Sequence, residues 1–232
     1  MITNSAKEGS ARIRGFSLLE LMVTMAILTI VIGVVTQGLN TMQVRNTVET
    51  NKVDLTQESR QFMDQIINDI HQSGFPRIGL FDPASLVSAT DCTLDTGATN
   101  TVAVACGLLT VKAGELDFEG DVDGTGVSKV TIQLVVPNNG CPCTIQRGTV
   151  LKSVGGTPPY YTEVNNVMNQ NIFTAYDNNG ATVALPIIGN AYSSGNNIQA
   201  IGINLYVRAS QADAKTGVFP SVTMDSTVKI NN

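Results

Sequence analysis

Gly15-Phe16-Ser17-Leu18-Leu19-Glu20-Leu21-Met22-Val23 opens an apolar run that continues to Val35, and Glu20 is the only ionisable side chain between Phe16 and Val35. A helix of about 20 apolar residues covers about 30 Å, the depth of a bilayer core. The run therefore predicts a membrane span, placed at residues 16–37. Glu20 then needs a partner, because a carboxylate held in hydrocarbon costs at least ~2.5 kcal/mol even on insertion scales.

Residues 1–15 are short, polar and aperiodic. Lys7, Arg12 and Arg14 against Glu8 give them a charge of +2, which leaves −7 on the remainder of a chain whose total is −5. A basic segment directly before an apolar run stays cytoplasmic, so the reading is a single membrane pass with the carboxyl side outside. A secretory signal places its small residues after the apolar core and is cut there. Here Gly15 stands before the core. A cut between Gly15 and Phe16 would remove the leader and keep the span.

The stretch from Gly15 to Val23 resembles the prepilin signature of type IV pilins and type II secretion pseudopilins. The resemblance implies cleavage by prepilin peptidase after Gly15 and methylation of the new amine on Phe16. It also implies that Glu20 pairs with the amine of a neighbouring subunit entering the filament. An ammonium beside a carboxylate in a low-dielectric bundle would supply the missing partner, with a net gain that depends on geometry. Three further stretches are similar to PilW-type minor pilins, and the first also to GspJ-type pseudopilins. Residues 60–75 resemble the end of their first helix, where Asp-Ile-Arg-x-x-Gly-Tyr is common; this chain has His71 and Phe75 at two of those positions. Leu116-Asp117-Phe118-Glu119-Gly120-Asp121-Val122-Asp123-Gly124 and Phe173-Thr174-Ala175-Tyr176-Asp177-Asn178-Asn179-Gly180 are the others.

What the resemblance implies is an α+β type IV pilin fold, in which a long N-terminal helix packs on an antiparallel β-sheet head. The leader would be residues 1–15, the helix 16–74 and an extracytoplasmic head 75–232. The implied role is a minor pilin subunit that takes part in filament assembly or priming. A secretion pseudopilin is the alternative, and an adhesive pilin-like module a third reading. The partners would be prepilin peptidase, the inner membrane, and other pilins or pseudopilins.

Composition agrees with an exported head. An acidic chain with only 14 Lys+Arg argues against nucleic acid as a main partner, since phosphate contact calls for a basic face. The four cysteines Cys92, Cys106, Cys141 and Cys143 suggest disulfides outside the cytoplasm. Three connectivities exist; Cys92–Cys106 with Cys141–Cys143 is favoured, although a two-residue separation strains disulfide geometry. Zinc is disfavoured because the spacing is not Cys-x2-Cys and the sole histidine, His71, lies far away on the helix.

Asp121 and Asp123 alternate ahead of glycines, like the start of a calcium loop. The distal glutamate of such a loop is missing, because residues 127–136 contain no carboxylate. An ordinary tight turn is therefore preferred to calcium, and no other cofactor is expected. No Gly-x-Ser-x-Gly elbow, His-Glu-x-x-His or phosphate loop occurs in the sequence. The reading is a non-enzyme, with Asp117/Glu119 the one carboxylate pair weighed for glycoside chemistry.

Along the chain, the absence of proline before Pro76 predicts one helix from Phe16 to about Ser73, with weak points at Gly33 and Gly38. Val44, Val48, Leu55, Phe62, Ile66 and Ile70 form one apolar stripe, and the charges, Asp69 among them, are assigned to other faces. Strands are predicted at 101–105, 108–111, 130–136, 144–147, 173–176, 198–207 and 221–230, and residues 115–126 are read as a strand and acidic glycine turn that form a hairpin with 130–136. Pro158-Pro159 and Tyr160-Tyr161 are read as a loop.

Overall fold

The computed structural model describes residues 17–76, 104–188, 198–213 and 216–230. They form one helix, α1 (Leu18–Gln72), and nine strands. The strands are β1 (Gly107–Lys112), β2 (Glu115–Gly120), β3 (Ser128–Val135), β4 (Cys143–Leu151), β5 (Tyr160–Val167), β6 (Phe173–Tyr176), β7 (Thr182–Val183), β8 (Ala200–Arg208) and β9 (Ser221–Lys229). Contacts divide the chain into two compact units, with the boundary between Thr47 and Val48.

The first unit, as far as described, is the apolar part of α1. Its large side chains are exposed, from Leu18 at 79% to Leu39 at 53%. The threonine hydroxyls there are satisfied within the helix: Thr24, Thr29, Thr36 and Thr41 each donate a hydroxyl proton to a carbonyl three or four residues back. Gly33 and Gly38 lie inside the unbroken helix with nothing near their missing side chains. This helix is long and apolar enough to cross a membrane.

The second unit is the β-rich head with the amphipathic end of α1. Leu55, Phe62, Met63, Ile66 and Ile70 are buried and join one core cluster with Leu116, Phe118, Ile132, Ile145, Val164, Ile203 and Leu205. The stripe is therefore real from Leu55 onward, whereas Val44 and Val48 are only half-buried. Asp69 departs from the sequence reading: it lies on the buried side of the helix, opposite β4.

All strand pairs are antiparallel, in the order β1-β2-β3-β4-β5-β8-β6-β7, with β9 on β8. The sheet curls on itself. Val111 of β1 exchanges backbone hydrogen bonds with Ile187 at 2.9 and 2.8 Å, and Ala113 O accepts from Ile172 and Phe173. Fold class is thus α+β: a long N-terminal helix whose C-terminal part packs on a curled antiparallel sheet.

Two strand readings change. Tyr160 and Tyr161 belong to β5, not to a loop, because the proline pair ends just before it and leaves the backbone N–H groups from Tyr160 onward free to pair with β4. Val104 and Ala105 are outside any strand, and 101–103 lie outside the described residues.

The helix stops where it meets the sheet. Gly74 takes φ +79°, suited to the residue that closes a helix. Its N–H donates to Glu119 O at 2.8 Å, and Asp121 N–H donates to Phe75 O at 2.9 Å. Between these bonds Gly120 passes so close that a Cβ would sit 2.5 Å from Gln72 O.

Candidate assembly site and the polar groups of the head

Gly15 and Phe16, the expected cleavage and methylation positions, lie outside the described residues. The helix begins immediately after them: Leu21 N–H donates to Ser17 O at 3.1 Å. Glu20 falls in the first turn, where a negative charge complements the free N–H groups of the helix start. It is exposed, and among the described residues nothing pairs with its carboxylate. Glu20 is thus an acid with no internal partner in the apolar part of the helix, a costly placement for a carboxylate within a bilayer.

The cysteines divide between described and undescribed chain. Cys141 and Cys143 form a disulfide, Cα to Cα 4.4 Å, at the start of β4. Cys106 is also disulfide-bonded, while Cys92 lies outside the described residues.

The aspartate loop after β2 is an Asx turn. Asp123 Oδ1 accepts from Thr125 N–H at 2.9 Å and from Thr125 Oγ1 at 2.6 Å, and Asp121 Oδ1 accepts from Gly126 N–H at 3.2 Å. The Thr125 hydroxyl, then its N–H, hold the Asp123 carboxyl below the usual carboxylate range. The loop thus supplies its own donors to both carboxylates. Among the described residues no group of three His, Cys, Asp or Glu side chains converges.

The head carries charged pairs that sequence patterning did not reveal. Arg147 Nε–H donates to Asp69 Oδ2 at 2.8 Å, with 19% and 9% of the two side chains exposed. Burial nonetheless pushes the Asp69 carboxyl above its ordinary value, against the pull of Arg147. Glu119 Oε2 accepts from Lys152 Nζ at 2.7 Å and from Cys106 N–H at 3.0 Å; the same ammonium donates to Val104 O at 3.1 Å. This pair fastens the segment before β1 to the strands. Asp117, two residues from Glu119 and on the same sheet face, is buried with Oδ1 unpartnered, and burial raises its carboxyl. Each carboxylate of the pair weighed for glycoside chemistry is thus buried, and Glu119 is neutralised by a lysine. His71 is exposed in the last turn of α1.

Residues 10–36 match the prokaryotic N-terminal methylation motif. No curated protein and no solved structure matches the chain. The match spans both the expected cleavage position and Glu20, and it implies processing by prepilin peptidase and assembly with other pilins. The motif supports a type IV pilin-like protein, in which a prepilin-type methylation motif and a helix apolar enough to cross a membrane precede an α+β head.

Proposed function

We propose that this protein is a minor pilin of a type IV pilus. Prepilin peptidase cuts between Gly15 and Phe16, and the amine of Phe16 is methylated. Before assembly residues 16–37 span the inner membrane once with the N-terminus in the cytoplasm. Afterwards the same segment lies in the filament core and the head, residues 75–232, faces outward. Glu20 pairs with the amine of an adjacent subunit. The role is structural and needs no enzyme chemistry and no cofactor, with the Asp121–Asp123 loop acting as a turn.

The observation that carries this reading is Glu20: one unpartnered acid on an exposed apolar helix, inside a matched methylation motif. Intact mass of the protein from the membrane fraction tests it. Loss of residues 1–15 with one added methyl group is expected; a mass that retains Met1 through Gly15 overturns it. The hairpin over residues 116–124 and the turn over 177–180 support a PilW-type minor pilin over a secretion pseudopilin. Genes for other minor pilins beside this one would favour that choice, and genes for a secretion system would reverse it.

A further inference from the structure

The face of β6, β8 and β9 that points away from the core carries an open groove of about 410 Å³. Its lining is largely polar, with Asp225 its one charge, and includes Thr174 and Tyr176 from β6, Gly202 and Asn204 from β8, and Asp225 and Thr227 from β9. Register explains the grouping. Thr174 pairs with Gly202, Gly202 with Thr227, and Asn204 with Asp225, so these side chains share one face across three strands.

Gly202 lets the groove form. A Cβ there would lie 2.8 Å from Cε2 of Tyr176, so the tyrosine ring is laid across the glycine and presents an aromatic wall. Opposite it stands a held amide and acid. Asn204 Nδ2–H donates to Asp225 Oδ1. Asn169 Nδ2–H donates to Asn204 Oδ1 at 3.0 Å and to Asn204 O at 2.8 Å. Asn169 is itself fixed, accepting from Tyr206 N–H at 2.9 Å. The chain Tyr206–Asn169–Asn204–Asp225 therefore orients the amide before any ligand arrives. Among the described residues no donor but Asn204 reaches the Asp225 carboxylate, which leaves its second oxygen open to a hydroxyl.

An aromatic wall, a fixed carboxamide, one open carboxylate oxygen and two threonine hydroxyls match one chemistry. A pyranose ring offers an apolar C–H face to stack on the ring and an edge of hydroxyls that both donate and accept. Anions suit the groove poorly, since Asp225 faces them and no basic side chain lines it. A fully apolar ligand would strand the amide and acid. The volume is at the small end for ligand sites and fits one or two sugar rings.

We propose that this groove binds a neutral sugar residue, with Tyr176 as stacking platform and Asn204 and Asp225 as the hydroxyl-reading pair. The inference rests on the head being exported, where glycans are met. Its test does not need the filament. Full-length protein in a detergent without a sugar headgroup is mixed with methyl glycosides of glucose, galactose, mannose and N-acetylglucosamine, and saturation-transfer NMR is recorded. Transfer to the ring protons of at least one glycoside is expected. It should fall at least tenfold in Asp225→Asn and Asn204→Ala, variants confined to the exposed face. No transfer to any of the four, or transfer unchanged in both variants, overturns the proposal. Because the intact mass reports cleavage separately, failure here leaves the pilin reading standing, and a chain that retains its leader leaves the sugar measurement interpretable.

Discussion

Asp69 near the end of α1 and Arg147 of β4, 78 residues apart in the chain, meet at 2.8 Å and join helix to sheet through charge as well as apolar contact. Removing one partner leaves the other in the interface without compensation, at a cost of ~3 kcal/mol or more. Asp69→Ala should lower the unfolding free energy of the head by about that amount. The double variant Asp69→Leu/Arg147→Met should recover most of it. Urea denaturation of the three proteins checks both statements, and a harmless Asp69→Ala would show that the pair holds nothing together.

Stability should fall as pH rises through the carboxylate range at two buried acids. Burial, the largest cause, raises both Asp69 and Asp117 above their ordinary values. A group whose folded-state value is raised binds more protons when folded, so its contribution is present below the unfolded value of 3.8 and is lost above the raised one. Asp117→Asn cannot ionise. Its stability relative to the natural protein should therefore increase from pH 3 towards neutral pH, as read by paired denaturation curves; a gap that is flat with pH would contradict this.

Gly120→Ala and Gly202→Ala should differ. At Gly120 the new methyl meets the Gln72 carbonyl at 2.5 Å, and backbone on both sides is tied by the bonds to Gly74 and Phe75. At Gly202 it meets the far edge of the Tyr176 ring, which can turn away. Overpacking against fixed atoms costs ~1–3 kcal/mol. The first variant should lose that much and the second clearly less, by thermal unfolding.

The two parts of α1 should respond differently to truncation. Ile66 is 1% exposed and packs in the head core, so Ile66→Ala should cost ~2–5 kcal/mol of head stability. Ile30 is 68% exposed, and Ile30→Ala should leave head unfolding unchanged.

Glu20→Ala should leave membrane insertion intact and remove the subunit from sheared filaments. Normal incorporation of the variant would break the link between the acid and assembly. Gly15→Leu should block cleavage, and a mass beginning at Phe16 would count against the assigned bond.

Much of this was readable in the sequence because it is local. An apolar run, a stripe at helical spacing ending in Ser73-Gly74-Phe75-Pro76, and alternating strands such as 198–207 each carry their own signal. Asp69 was misplaced because helical periodicity sorts by polarity and cannot foresee an arginine on a distant strand. Tyr160-Tyr161 was misread because the preceding prolines dominate the local pattern, although proline forbids pairing only at its own position. Gly120 resembles the turn glycines after it, yet it serves close approach of two backbones, a demand that exists only once the helix lies on the sheet. The Tyr176–Gly202 and Asn204–Asp225 relationships depend on register between β6, β8 and β9, which no single stretch encodes.

Among the described residues β9 pairs only with β8, which leaves one flank of a nine-residue strand without a neighbour. Such a flank is a template on which identical heads could zip together. Asp225 and Lys229 lie among the exposed side chains of this strand, amid serine and threonine, and charged side chains on an edge strand disfavour its pairing with another chain. Where many copies are concentrated at one surface, the cost of drying these hydrated side chains weighs against heads fusing into cross-β aggregates.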